Sequence, residues 1–335
     1  MAEDAFHDRG ASPAAEASYS EAMRLLGDGA GQQDMQRALT LLGSATSQGL
    51  PAAGERLAAF HALAANGPGG PRHWDEAFDA LLVAAESGSV SAGEQLLLLA
   101  DPSQEPLIPV QMDAGLWRAA RARINLDRLL ASPGRKAVSD APRIRQLEAF
   151  ATAAECRWVI EASRAHLARA TVFDHASGAL IEDPARNNSA VVLTFSQIDV
   201  VTEILRTRIA FALRVPVPAF EPAQILRYEV GQEFVPHVDF LNPAVAGYAE
   251  QLARQGQRIA TFLIYLNQDF EGGETAFPAI GLKIRARTGD ALFWANLDQD
   301  HNPDPQTLHA GLPPTAGEKW VFSQWVRERA PMGGA

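Results

Sequence analysis

Apolar and polar residues alternate at helical spacing in the first part of the chain, and this pattern repeats. Apolar positions three and four apart predict one helix over Ala38–Ala45 and a second from Ala53 onward, with a glycine between them. Each copy is therefore predicted to be a helix–turn–helix unit stacked on its neighbour. An ordinary alanine-rich bundle is the alternative. The residues that recur at one constant offset are Ala38 and Ala77, Leu42 and Leu81, Ala45 and Ala84, Gly49 and Gly88, Ala53 and Ala92, Gly54 and Gly93, Glu55 and Glu94, and Leu57 and Leu96.

The pattern changes after about residue 101, where a connector begins. It contains a predicted helix over residues 114–130 and a break at residues 132–134. Further helices are predicted over residues 145–150, 153–169 and 197–213, and short strands separated by glycine turns follow Pro216. We therefore predict an α+β multidomain protein. Its helical repeat domain covers residues 18–131, and its second domain covers residues 142–330.

Composition narrows the functional classes. The chain has 335 residues and a net charge of −11, which argues against nucleic-acid partners because these require a basic surface. Its single cysteine, Cys156, excludes an internal disulfide framework and a cysteine-only zinc site. The acidic start, residues 1–8, is unlike a secretory signal, and no apolar run is long enough to span a membrane. We expect a cytoplasmic protein with no membrane association.

Candidate metal ligands lie in the strand-rich part of the chain. His237 and Asp239 are two residues apart, so on a strand both side chains project to one face. Two histidines and one carboxylate without a thiolate suit non-haem iron, which requires a second histidine. The candidates are His301, in a polar turn, and His309, which precedes a turn and an apolar strand. The spacing favours His309, because the return strand brings Lys319, one of only three lysines, back towards the metal.

Residues 145–328 resemble the prolyl 4-hydroxylase branch of the iron- and 2-oxoglutarate-dependent dioxygenases, and the repeats resemble the Sel-one-like class of tetratricopeptide-related repeats. The motifs of the former occur in the expected order. They are Tyr228-x-x-Gly231-x-x-Phe234-x-x-His237-x-Asp239, Arg258-x-x-Thr261-x-x-x-Tyr265-Leu266-Asn267, Gly272-Gly273-Glu274-Thr275-x-Phe277-Pro278 and His309-x-Gly311-x-Pro313-x-x-x-Gly317-x-Lys319-Trp320.

The resemblance implies a double-stranded β-helix, or jelly roll, with flanking helices and a metal site in its mouth. It implies that His237, Asp239 and His309 bind Fe(II), and that Lys319 pairs with the far carboxylate of 2-oxoglutarate. O2 is then the co-substrate, and ascorbate is a candidate reductant. The positions at which the family places hydroxyl groups near 2-oxoglutarate are Tyr228, Tyr265 and Thr275.

The implied reaction is hydroxylation of an unactivated C–H bond, with 2-oxoglutarate converted to succinate. Arg258 and Phe234 are implied at the substrate mouth, although Arg258 suits a structural salt bridge almost equally well. Phe234 stands where collagen-type relatives commonly have a tyrosine. A peptidyl proline is the favoured substrate, with the repeats recruiting a protein substrate or partner. The alternatives are a hydroxylase of a free amino acid or small molecule, and a catalytically inactive scaffold protein.

Overall fold

The structure is a computed structural model that describes residues 12–27, 31–67, 70, 72–103, 114–173 and 180–330. The acidic start of the chain lies outside the described residues. Two compact units are present. The first comprises the described residues up to Asp101, residues 114–125 and Ile198–Glu203. The second comprises Pro102, Ser103 and the described residues of Leu126–Gln197 and from Ile204 onward. The predicted domain bounds, 18–131 and 142–330, stay a prediction.

Helices form the first unit, as the apolar spacing predicts. They are α1 (Pro13–Leu25), α2 (Gln32–Ser47), α3 (Pro51–Ala64), α4 (Arg72–Glu86), α5 (Val90–Ala100) and α6 (Ala114–Arg123). The two repeat copies are the pairs α2–α3 and α4–α5. Gly49 and Gly88, which end the first helix of each copy, have φ of +81° and +103°, a conformation that favours glycine. None of the helices in the described part of the chain has the length and apolar character that crossing a bilayer requires.

Small residues in the repeats allow the helices to approach closely. A Cβ atom on Gly54 of α3 would lie 2.8 Å from the Cβ of Ala84 on α4, which is closer than real contacts allow. The recurring positions Ala38, Leu42 and Ala45 are fully buried. The alanine and glycine content of this unit therefore follows from its helix–helix packing.

Four more α-helices follow among the described residues; the first precedes the strands of the second unit, and the second unit includes the third of them from Ile204 onward. They are α7 (Leu126–Leu130), α8 (Ala153–Arg164), α9 (Val200–Leu213) and α10 (Ala246–Gln255). The helix predicted over residues 114–130 is thus two helices, separated at residues 124 and 125. The α9 helix begins three residues later than predicted, because Asp199 caps it by accepting a hydrogen bond from the Thr202 N–H at 2.7 Å.

The helix predicted over residues 145–150 is wrong. Residues Arg143–Leu147 form a strand that pairs with its neighbour Lys136–Asp140 and with Ala291–Ala295. That second partner is distant in the sequence, so local periodicity carries no signal for it. The helix predicted over residues 153–169 ends at Arg164, and a short strand follows at Ala168–Arg169.

Sixteen strands are present among the described residues. They are β1 (Lys136–Asp140), β2 (Arg143–Leu147), β3 (Ala168–Arg169), β4 (Thr171–Phe173), β5 (Leu180–Glu182), β6 (Ser189–Val192), β7 (Gln224–Tyr228), β8 (Phe234–His237), β9 (Arg258–Tyr265), β10 (Phe270–Gly272), β11 (Thr275–Phe277), β12 (Leu282–Ile284), β13 (Ala291–Ala295), β14 (His309–Gly311), β15 (Pro314–Gly317) and β16 (Lys319–Arg327).

Two sheets build the core of the second unit. The larger has the strand order β1-β2-β13-β9-β16-β7-β6-β3, and the smaller has the order β12-β11-β14-β8. Side chains from both sheets share one apolar core, in which Phe277 of β11 meets Trp294 of β13 edge to face at 5.2 Å between ring centroids. This is the predicted jelly roll with flanking helices.

Candidate metal and cosubstrate site

Strand pairing brings the predicted metal ligands together. In the antiparallel pair of β8 and β14, His237 lies directly opposite His309. Asp239 follows β8, and one ligand atom from each of these three residues lies within 4.8 Å of the others. The other candidate, His301, is exposed in a turn with φ of +63° and is not part of this cluster.

Backbone carbonyl groups orient both imidazoles. Nδ1 of His237 lies 2.8 Å from the carbonyl oxygen of Val235, and Nδ1 of His309 lies 2.9 Å from that of Thr307. A carbonyl oxygen only accepts hydrogen bonds, so each Nδ1 must carry the proton. Each Nε2 therefore presents a free lone pair towards Asp239, which is how a metal-binding histidine is held.

The Asp239 carboxylate is held by a short chain of hydrogen bonds. Thr261 Oγ1 donates to Asp239 Oδ2 at 2.6 Å, and Asn296 Nδ2 donates to Thr261 Oγ1 at 3.1 Å. Burial opposes ionisation of Asp239, but His309, His237 and the Thr261 hydroxyl outweigh it, so the pKa of this carboxyl is lowered. Burial and the neighbouring His309 lower the pKa of His237 to about 3. A neutral imidazole beside a carboxylate is the state that binds a metal.

The donor set fits a divalent iron ion. Nε2 of His237 lies 3.7 Å from Asp239 Oδ1, and Nε2 of His309 lies 3.4 Å from Asp239 Oδ2. Two atoms bound to one ion at about 2.1 Å lie no more than about 4.2 Å apart, so these separations are compatible with a shared ion. Two imidazoles and one carboxylate leave further coordination positions open, as non-haem iron chemistry requires.

Lys319 lines the same pocket as the three metal ligands His237, Asp239 and His309. It is opposite Tyr228 in the pairing of β16 with β7, and its ammonium lies 5.4 Å and 5.6 Å from the ring centroids of Tyr228 and Tyr265. The side chain is buried, and none of the described residues forms an ion pair with it. Desolvation lowers its pKa to about 8, with Glu274 acting in the opposite direction. A buried cation of this kind is suited to an anionic ligand.

The three predicted hydroxyl groups lie in two layers. Tyr228 and Thr275 line the pocket, whereas Tyr265 lies behind it and its hydroxyl is 2.8 Å from Thr275 Oγ1. Burial raises the pKa of Tyr228 to about 12 and also raises the pKa of Tyr265, so both remain protonated donors at neutral pH. Gly311 packs closely beside them, since a Cβ there would lie 3.2 Å from the Tyr228 hydroxyl and would have to displace it slightly.

Residues predicted at the substrate mouth lie next to the metal ligands. Phe234 stacks on His237 with 3.5 Å between ring centroids. The Arg258 guanidinium binds both carboxylate oxygens of Glu221, at 2.7 Å and 2.8 Å, and lies 3.8 Å from the centroid of Trp325. Arg258 thus forms the structural salt bridge that the sequence left as its alternative role, while its Nη1 is 3.5 Å from the carbonyl oxygen of Asp239.

Four residues near the site were not among the predicted site residues. Thr261 and Asn296 support Asp239, and Trp294 and Arg186 line the pocket. Trp294 Nε1 and Arg186 Nε are buried without a hydrogen-bond partner among the described residues. Thr261 could have been identified from the sequence, because alternate residues of a strand share one face and Thr261 therefore lies on the same face as Leu263 and the predicted site residue Tyr265. The others depend on tertiary packing.

An open groove adjoins the metal ligands. Its volume is about 1160 Å³, and it is lined by residues of β4, β5, β6, β8 and α10 together with Arg186, Arg258 and Trp325. His237 and Asp239 form part of its floor. The ligand cluster is therefore accessible from a cavity larger than typical small-molecule pockets, which extend to about 1,000 Å³.

The chain is similar to known proteins both in sequence and in structure. Residues 223–327 match the model of the 2OG-Fe(II) oxygenase superfamily. Prolyl 4-hydroxylase 1 of Arabidopsis thaliana is 33% identical over 207 residues, which cover 58% of this chain and 71% of that protein. Prolyl 4-hydroxylase 2 of the same plant is 32% identical over 212 residues, covering 57% and 69%. A viral collagen prolyl hydroxylase from Paramecium bursaria Chlorella virus-1, solved with 2OG, is 28% identical with a TM-score of 0.43, covering 57% of this chain and 98% of that one.

Proposed function

Because this chain belongs to the prolyl 4-hydroxylase family of 2-oxoglutarate- and Fe(II)-dependent oxygenases, we propose that it hydroxylates a prolyl residue of a peptide or protein. Fe(II), 2-oxoglutarate and O2 are the cofactor and cosubstrates of this oxygenase class. The observation that carries the proposal is that the three ligand atoms lie within 4.8 Å of one another, and that two of the ligands, His237 and Asp239, line an open groove.

His237, Asp239 and His309 hold the iron in this proposal. Bound iron supplies the chemistry of dioxygen activation and C–H oxidation. The protein contributes fixed geometry, since the carbonyl groups of Val235 and Thr307 orient the imidazoles and Thr261 orients the carboxylate. Such outer hydrogen bonds usually affect metal affinity strongly, by about 10- to 100-fold.

Lys319 binds the far carboxylate of 2-oxoglutarate in this proposal. Its ammonium is buried without an ion pair among the described residues, so an incoming carboxylate satisfies a charge that the fold leaves unpaired. The Tyr228 hydroxyl and the Thr275 hydroxyl, which Tyr265 contacts, are suited to donate to the same ligand. These contacts orient the cosubstrate so that its other end faces the iron ligands.

A peptide substrate is favoured over a free amino acid by the shape of the groove. A free amino acid needs only a small closed pocket, whereas this groove is open and has a volume of about 1160 Å³. Phe234 stacks on His237 and lines the groove, so it presents an apolar surface that suits a proline ring beside the proposed iron ligands. Prolyl 4-hydroxylation is also the activity that the names of the curated relatives give.

The proposal is tested by turnover of 2-oxoglutarate with iron-loaded protein and proline-containing peptides, with and without ascorbate. We expect succinate formation coupled to a gain of one oxygen atom on the peptide, detected by mass spectrometry, and loss of both in the variant His309→Ala. Turnover of free proline at an equal or higher kcat/KM would favour the small-molecule alternative. Failure of iron-loaded protein to bind 2-oxoglutarate would favour the scaffold alternative.

The helical repeats recruit the protein substrate or a partner in this proposal. Among the described residues of the first unit, three large apolar side chains are exposed, namely Met35, Val83 and Val90. Stacked helical repeats form extended surfaces of the kind that bind other proteins. Replacing all three with serine should raise the KM for a protein substrate and leave the KM for a short peptide unchanged. An equal effect on both would contradict a recruiting role.

A further inference from the structure

A second group of potential metal ligands lies in the helical unit, remote in sequence from the iron-ligand motif. His61 is in the last turn of α3, and His73 and Glu76 are in the first two turns of α4. One ligand atom of each lies within 4.8 Å of the others. Nothing in the proposed oxygenase chemistry uses these residues.

The carboxylate lies between the two imidazoles. Nδ1 of His61 is 3.2 Å from Oε2 of Glu76, and Nδ1 of His73 contacts the same oxygen. The two imidazole rings are nearly parallel, with an interplanar angle of 18° and 6.3 Å between centroids. Donor atoms around one tetrahedral zinc ion, each at about 2.0–2.1 Å, lie roughly 3.4 Å apart, which is close to the His61–Glu76 separation.

The helices hold the group in place and leave it accessible. His73 and Glu76 are three residues apart on α4, so they share one face of the helix. His61 comes from α3, which packs against α4 through Gly54 and Ala84. The two histidine side chains are about one-fifth exposed, whereas Glu76 is 47% exposed, so an ion has a path from solvent.

We propose that His61, His73 and Glu76 form a second metal site that binds a divalent transition-metal ion of the zinc type. Two imidazoles and one carboxylate without a thiolate suit Zn²⁺, Co²⁺ or Cu²⁺ far better than Ca²⁺ or Mg²⁺. Solvent water completes the coordination. Because the ligands come from two helices, the ion links α3 to α4 and stabilises the helical unit.

The test is a count of bound zinc in the full-length protein after removal of metal with a chelator. Isothermal titration with Zn²⁺ should give two sites per chain. The variants Glu76→Gln and His73→Asn should each weaken one site, and His237→Ala should weaken the other. Changes outside the ligand shell alone cost about 10- to 100-fold in affinity, so loss of a ligand should cost at least about tenfold. Zn²⁺ should also raise the Tm of the His237→Ala variant.

Matched controls separate ligand loss from general damage. Glu86→Gln makes the same substitution on the same helix, at a partly buried residue that pairs with Arg118. His301→Asn makes the same histidine substitution at an exposed turn. Both controls should keep two sites. A single zinc per chain that disappears in His237→Ala and is unaffected in Glu76→Gln would overturn the proposal, and would leave Glu76 as a hydrogen-bond acceptor for two histidines.

Discussion

Two buried polar groups of the jelly roll, one charged and one neutral, lack partners among the described residues. Both lie in the pocket where 2-oxoglutarate is proposed to bind. The Lys319 ammonium has no ion pair, and the Trp294 N–H has no acceptor. An unsatisfied buried group costs folding free energy of about 1–3 kcal/mol, so its presence in a well-packed core calls for a functional reason. Binding of 2-oxoglutarate in this pocket would provide one.

Replacing Lys319 with methionine should abolish recognition of the far carboxylate while preserving the volume of the side chain. We expect the KM for 2-oxoglutarate to rise by about 100-fold, because a charge-assisted bond in a buried site is worth roughly 3 kcal/mol. Lys283→Met, at an exposed lysine of β12, is the control and should leave the KM unchanged. The measurement is succinate formation against 2-oxoglutarate concentration, and a similar KM in the two variants would contradict the assignment.

The same lysine predicts how stability depends on pH in ligand-free protein. Its pKa is about 8 in the fold against an ordinary 10.5. Below pH 8 both states carry the proton, whereas between pH 8 and 10.5 only the unfolded state does. The free energy of unfolding should therefore rise with pH across this window, by on the order of 3 kcal/mol in total. Urea unfolding of the wild type and Lys319→Met should show this rise only in the wild type.

Trp294→Phe removes the unpaired N–H and keeps an aromatic ring beside His309. If this N–H donates to 2-oxoglutarate, the KM for 2-oxoglutarate should rise by about fivefold, equivalent to about 1 kcal/mol. Trp320→Phe is the matched control, since Trp320 Nε1 already donates to Glu318 at 2.8 Å. That control should lose more stability in thermal unfolding, because it breaks an existing hydrogen bond. An unchanged KM in Trp294→Phe would show that its N–H does not contact the cosubstrate.

Among the elements, antiparallel pairing places the site residues. The β8–β14 register sets His237 opposite His309, and the β7–β16 register sets Tyr228 opposite Lys319. Side chains two residues apart on β16, namely Lys319, Val321 and Ser323, all face the pocket. A slip of one residue in either pairing would turn these side chains away from it.

Two glycines of the repeat helices have different surroundings, so replacing each with alanine should change stability in opposite directions. Gly54→Ala should destabilise the protein by about 1–3 kcal/mol, because its Cβ would lie 2.8 Å from that of Ala84. Gly43→Ala on α2, where no atom lies within 4 Å of the added Cβ, should stabilise by up to about 1 kcal/mol. Thermal unfolding measures both, and a stabilising Gly54→Ala would contradict the packing described for α3 and α4.

In the whole molecule, the ligands of the oxygenase site should contribute to stability by mass action. Mn²⁺ can replace Fe²⁺ for this measurement, and 2-oxoglutarate should then bind without turnover. A ligand at 100 times its Kd stabilises by about 2.7 kcal/mol, which is roughly 5–10 °C in Tm for a unit of this size. Metal and 2-oxoglutarate should each raise the Tm of the wild type. In Lys319→Met the metal increment should persist and the 2-oxoglutarate increment should vanish, and retention of both would argue against Lys319 as the anchor.

The sequence alone determined the repeat helices, the change to strands after Pro216 and the residue types of the oxygenase motifs. These features have short-range signals, because helical spacing, positive-φ glycines and closely spaced ligands such as His237 and Asp239 are all local. Only the tertiary structure showed that residues 145–147 belong to a strand, that Arg258 binds Glu221, and that Trp294 and Asn296 lie beside the ligands. These depend on contacts between residues far apart in the sequence, which local patterns do not encode. The same holds for His61, His73 and Glu76, which the packing of two helices brings to a common point.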